Sequence, residues 1–136
     1  MTISVLLAGS FQPDLETCRQ AILHAGFDVY TLDTDAEAYP EAISKLLKDK
    51  KIDCLVIGAM FDNLLPIHVN AILTTVRRHH TQAHVIVISA LGDTMNREIH
   101  LSESDLLLKT PFRISAIRSY LQSLLMILER ESLKAE

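Results

Sequence analysis

The chain reads as an open parallel α/β sheet, a single domain in which five short strands alternate with five helices over 136 residues. Three observations predict it. Short, nearly continuous apolar runs recur along the chain, as strands buried on both faces do. Between them lie segments whose apolar residues step by three and four, the mark of one buried helical face. Pro13, Pro40 and Pro66 stand where three of those helices would begin, a position that tolerates proline. Strands alternating with helices imply right-handed crossovers and a sheet covered on both sides.

The elements follow in order. Ile3–Ala8 is the first strand, broken by Gly9 and Ser10. Asp14 and Glu16 suit the positive end of the first helix, and Leu15, Cys18, Ile22 and Ala25 line its apolar face up to a stop at Gly26. Phe27–Leu32 is the second strand, and Asp33–Ala38 a loop. The second helix turns Ala42, Ile43, Leu46 and Leu47 inward and Lys45, Lys48 and Lys50 outward. Ile52–Ile57 is the third strand, stopping at Gly58. The third helix runs from Pro66 to about His80, and Val85–Ile88 is the fourth strand. Thr94–Leu101 is a short helix, Leu106–Leu108 a fifth strand, and a long last helix covers about 113–133.

Composition narrows the function classes. Apolar residues make up 49% and charged residues 22%, a globular balance. The net charge of −4 supplies no drive toward nucleic acid. No apolar run approaches the ~20 residues of a membrane helix. Cys18 and Cys54 sit inside apolar segments without CxxC spacing, so neither a disulfide framework nor a zinc site is expected, and a reducing cytoplasm fits. The opening MTISVLLAGS has no basic n-region and reads as a buried strand rather than a signal peptide. No GxxxxGK[ST] or GxGxxG motif supports a nucleotide, and no cofactor is expected.

In such sheets the functional site lies beyond the carboxyl ends of the strands. Those ends read Gly9-Ser10, Gly58, Ser89 and Lys109. The segments Asp105–Phe112 (DLLLKTPF), His84–Ala90 (HVIVISA) and Glu41–Gly58, in this order and spacing, resemble the receiver domain of bacterial response regulators over about Ile3 to Gln122. The resemblance implies a flavodoxin-like (CheY-like) sheet of strand order 2-1-3-4-5. It also implies a pocket in which an acidic pair after the first strand and an aspartate ending the third bind magnesium and accept a phosphoryl group. A Ser or Thr and a Lys would contact that group. Here the acidic pair aligns with Gly9 and Ser10 and the acceptor with Gly58, while Ser89 and Lys109 match the other two positions. The aromatic switch position aligns with Leu106, and Thr110 separates Lys109 from Pro111. Glycine offers nothing to phosphorylate, and magnesium favours carboxylate oxygens. The chain thus resembles an atypical receiver, or pseudo-receiver, with a degenerate pocket.

Each candidate also has a plainer role. Asp14 and Asp62, four residues beyond Ser10 and Gly58, are the displaced acids through which a phosphorelay role would survive; otherwise one favours a helix start and the other a turn. A Ser ending a strand commonly satisfies nearby backbone. Lys109 has lost its expected partners and must face a new acid, such as Asp14, an anion, or water. A third reading uses Gly9, Gly58, Ser89 and Lys109 as the rim of a small-ligand site. Arg77, Arg78, His79, His80 and His84 form a basic cluster at a helix C-terminus, which the helix dipole favours. No metal site is expected.

The last helix carries Ile114, Ile117, Leu121, Leu124 and Leu128 in a 3-4-3-4 pattern, with Tyr120, Leu125, Met126 and Ile127 beside it. That breadth exceeds one core face. With the output surface that the resemblance implies, it predicts a homodimer through the last helix and fifth strand, with Ile117, Tyr120, Leu124 and Ile127 as contacts. The expected function is a non-catalytic signalling module of a two-component system, working through protein contacts with another signalling protein and without aspartyl phosphorylation.

Overall fold

In a computed structural model, the described residues form five strands and five α-helices. The structure describes residues 3–9, 13–59, 64–79 and 84–135, with the side chains of 13, 14 and 132–135 left outside the description. The strands are β1 (Ser4–Ala8), β2 (Asp28–Leu32), β3 (Cys54–Ala59), β4 (His84–Ser89) and β5 (Leu106–Lys109). The helices are α1 (Pro13–His24), α2 (Tyr39–Asp49), α3 (Pro66–His79), α4 (Asp93–Asn96) and α5 (Ile114–Ala135). All neighbouring strands run parallel, in the order β2-β1-β3-β4-β5. This is the flavodoxin-like, CheY-like architecture that the sequence predicts.

Strand side chains alternate between two cores, as a period of two requires. Leu6, Ala8, Leu55, Ile57, Val85 and Val87 face a cluster shared with α2 and α3 through Ile43, Val69, Ile72 and Val76. Val5, Leu7, Cys54, Val56, Ile86 and Ile88 face the other, where α1 contributes Leu15, Cys18 and Ile22, and α5 contributes Ile117, Leu121 and Leu124. β3 and β4 are central strands, and their near-continuous apolar sequences reflect burial on both faces.

Helix ends account for several boundaries. Gly26, at φ 90°, ends α1: its N–H donates to the Leu23 carbonyl at 3.0 Å and the Phe27 N–H to the Ile22 carbonyl at 3.3 Å. This paired arrangement satisfies carbonyls that a helix leaves open. At the opposite end of the sheet, the Ser4 N–H donates to Asp53 Oδ2 at 2.9 Å, and the Asp53 N–H donates to the Ser4 carbonyl at 2.8 Å. These bonds fix the stagger of β1 against β3.

Several strand ends shift by one or two residues from the sequence reading, a 3-10 turn (Ala36–Ala38) lies in the expected loop, and two further differences bear on the site. β3 does not stop at Gly58; it continues through Gly58, paired with Ile88, to Ala59, paired with Ser89. The helix expected over Thr94–Leu101 is only the four residues of α4. Side chains of α3 compete for the backbone beyond it. Asn70 Nδ2 donates to the Glu98 carbonyl at 2.9 Å, and the His100 N–H donates to Asn70 Oδ1 at 2.7 Å. Arg77 Nη1 donates to the His100 carbonyl at 3.1 Å, and its Nη2 is bonded to Asp105 Oδ2.

Candidate functional site at the carboxyl end of the sheet

The carboxyl ends of β1, β3, β4 and β5 meet at one edge: Gly9 follows the last β1–β3 pair, Ala8 with Ile57, Gly58 pairs with Ile88, and Ser89, one residue further on, pairs with Ala59 and Lys109. Ser10 and Asp62, and the side chain of Asp14, lie outside the described residues.

The β1–β3 half is apolar and closed. Leu15, on the first turns of α1, is buried and lies against both glycines. A Cβ placed on Gly58 would stand 2.7 Å from Leu15 Cδ1, and one on Gly9 would stand 2.9 Å from the same atom. Real side chains do not approach so closely. Gly9 also has φ 149°, a conformation that L-residues rarely adopt. The two glycines leave the volume that Leu15 occupies. Neither position carries a carboxylate, and Leu15 stands where one would project.

The β4–β5 half is polar, with its polar groups bonded to one another. Ser89 is buried at the end of β4. Its hydroxyl donates to Asn96 Oδ1 at 2.5 Å and accepts the Leu91 N–H at 3.0 Å. Asn96, buried on α4, also donates from Nδ2 to the Leu91 carbonyl at 3.3 Å. Ser89 thus has the backbone-satisfying role open to it from sequence, with a side-chain acceptor added. Asn96 could not be found in advance, because its role depends on how tightly the chain turns after β4.

Lys109 is paired with an acid, Asp93 of α4. Lys109 Nζ lies 2.5 Å from Asp93 Oδ1, with both side chains mostly exposed. The hydrogen bond and charge of Lys109 hold the Asp93 carboxyl below its usual range. Leu106 opens β5 and packs half-buried on the α1–α5 core. The Thr110–Pro111 peptide is cis.

The surface expected on α5 needs correction at two of its four residues. Ile117 and Leu124 are buried in the core, because the heptad-like stripe is consumed by packing on the sheet. Tyr120 is half-buried, and its hydroxyl donates to the Ser104 carbonyl at 3.2 Å. Ile127 is 44% exposed and Met126 57% exposed.

Among the described residues, no group of three or more His, Cys, Asp or Glu side chains is arranged to hold a metal ion. Burial raises the Cys18 thiol to about 12 and pushes Cys54 higher still. Neither is a ready nucleophile. No described helix is long and apolar enough to cross a membrane.

No family model matches the chain, and no curated protein matches it. Solved structures do. The chain is similar to a response regulator receiver protein from Sinorhizobium medicae, at 18% identity and TM-score 0.72, covering 91% of this chain and 94% of that one. It is similar to the signal receiver domain of an HD domain-containing protein from Pseudomonas fluorescens, at 15% identity and TM-score 0.70, covering 96% and 99%. A third likeness is to a CheX-CheY-BeF3-Mg complex from Borrelia burgdorferi, at 15% identity and TM-score 0.68, covering 90% and 89%. At these identities the shared property is the receiver fold.

Proposed function

We propose that this chain is a receiver-like signalling module of two-component type that works through protein contacts, without catalysis and without aspartyl phosphorylation. The observation that carries the proposal is Leu15 packed against Gly9 and Gly58. Phosphoryl acceptance needs an acid and a metal-binding carboxylate set at this edge, and magnesium keeps hard oxygen ligands. An apolar side chain fills that position instead, and Ser89 is held by Asn96 rather than free to contact a ligand. The receiver fold of the similar structures supports a signalling role. The partner surface is the β5–α5 side, with self-association through Tyr120 and Ile127 and with a further signalling protein as the output. A cytoplasmic site of action fits two buried, reduced cysteines.

The test is incubation with magnesium and a small phosphodonor such as acetyl phosphate, read by intact mass. The expected result is no added phosphoryl group. Phosphate mapped to Asp14, Asp62 or Asp93 would replace this reading with a phosphorelay through a displaced acid. A small molecule retained through purification and contacting Ser89 or Lys109 would replace it with the ligand-binding reading.

A further inference from the structure

We propose that the outward face of α3 docks an amphipathic helix of a partner protein, one whose apolar stripe begins in acidic residues. The surface lies on the α2–α3 side of the sheet, opposite α5, and goes beyond the contacts proposed above. It stands whether or not the chain is phosphorylated. Ile67, Ala71, Thr74 and Arg78 recur at four-, three- and four-residue steps along α3, and all are exposed. That spacing sets them on one helical face. Exposed helical faces ordinarily carry charge, as α2 does with Glu41, Lys45, Lys48 and Asp49. From Pro66 to Val76, α3 has no Asp, Glu, Lys or Arg. Ile67 is 73% exposed, the most exposed large apolar side chain among the described residues. Thr74 and Thr75 donate their hydroxyl protons to the Asn70 and Ala71 carbonyls at 2.9 and 3.0 Å, so neither donor is left for water. A single exposed isoleucine is ordinary. An uncharged exposed face about three turns long departs from the pattern of a solvated helix.

The occupant follows from the charge at the end of that face. Arg78 and His79 are exposed on the last turn of α3. His79 Nε2 lies 2.7 Å from Ser44 Oγ, which ties α3 to α2, and Lys48 is exposed one turn beyond Ser44. Among the described residues, neither Arg78 nor Lys48 has a salt bridge. Arg77 is engaged on the other flank, with His100 and Asp105. The α3 dipole favours cations on its last turn, but it does not account for the missing charge before them. The face is thus apolar at its start and basic at its end. A partner helix lying antiparallel to α3 would bring its N-terminus to Arg78, where acids are favoured by these cations and by the partner's own dipole. Ala71 and Thr74 are small enough to let that helix approach closely. A second copy does not supply the acids. Parallel α3 helices would set Arg78 beside Arg78, and antiparallel ones would set it beside a first turn without Asp or Glu. A helix lying on a membrane carries its cations along its polar face, whereas here they stand at one end.

The test is an amide NMR titration of the full chain with a synthetic helical peptide of about four turns, its Leu-Ala stripe preceded by an Asp-Glu pair. A control peptide carries Lys in place of both acids. The expected result is saturable shifts at Ile67, Ala71, Thr74 and Arg78 with the acidic peptide, and weaker binding of the basic one. Ile67→Glu should weaken the acidic peptide about tenfold or more. Arg78→Glu with Lys48→Glu should reverse the preference, by roughly two- to fivefold for each charge. These side chains are exposed, so each variant should unfold near the wild-type midpoint. No saturable shift on α3, shifts confined to α5 or β5, or equal affinity for the two peptides would overturn the proposal. Sedimentation with vesicles containing phosphatidylserine, without peptide binding, would overturn it in favour of a membrane surface. Phosphoryl transfer to the chain would overturn the reading of the preceding section and leave this one standing.

Discussion

The two halves of the sheet's carboxyl end have been closed in different ways. At the ends of β1 and β3, Gly9 and Gly58 have no side chains, and Leu15 fills the space above them. At the ends of β4 and β5, the polar residues Ser89 and Lys109 remain but bond to Asn96 and Asp93. One half is core; the other holds two separate polar pairs, Ser89 with Asn96 buried and Lys109 with Asp93 exposed. Glycines alone at these two strand ends would leave a hole lined by backbone. Filling that hole with an aliphatic side chain makes the glycines structural requirements, so restoring one acid does not restore a site.

The severest way to break this comparison is Gly58→Asp. The new side chain collides with Leu15 and buries a carboxylate without a partner. Overpacking alone costs about 1–3 kcal/mol, and burial of an unpaired charge adds several more. The expected outcome is loss of cooperative thermal unfolding near the wild-type midpoint. Leu15→Ala comes next, at about 2–5 kcal/mol for a buried leucine, measured by denaturant unfolding. The sharper version is the cycle with Gly58→Ala. Each single change destabilises, and the double mutant should be more stable than their sum, since the truncated leucine makes room for the new methyl. Additive effects would mean that Leu15 and Gly58 do not constrain one another.

On the polar side the effects are smaller. Asn96→Ala strands the buried Ser89 hydroxyl and should cost about 1–3 kcal/mol by the same unfolding measurement. Adding Ser89→Ala should recover part of that loss. Lys109→Met should change stability least, because the pair with Asp93 is exposed and screened by solvent and salt. Its pH dependence has a definite sign. The folded Asp93 carboxyl is lowered by Lys109, so the pair's contribution is present above the unfolded carboxylate range and is lost as pH falls through the lowered folded value. Wild type and Lys109→Met should therefore converge in acid. A difference that grows in acid would place the Lys109 contact elsewhere.

Much of the fold was legible in sequence because strands buried on both faces read as unbroken apolar runs, as Cys54–Ile57 and Val85–Ile88 do. The strand ends that form the site were legible for the same reason. The filler was not. Leu15 reads as one residue of an apolar helical face, and nothing in its spacing says that it touches Gly9 and Gly58. The fourth helix was over-read because Thr94–Leu101 has helical spacing, while Asn70 and Arg77 on α3 take the Glu98 and His100 backbone groups in the fold. Ile117 and Leu124 matched a partner seam and a core stripe equally well by spacing, and burial separated the two.

The most direct measurement is an amide NMR titration of the wild-type chain with magnesium and beryllofluoride, a phosphoryl mimic. With Leu15 filling the β1–β3 half and Ser89 held by Asn96, the resonances of Gly58, Ser89 and Lys109 should stay in place throughout. Saturable shifts at those three residues would contradict the account and show that the edge still receives a phosphoryl-like ligand.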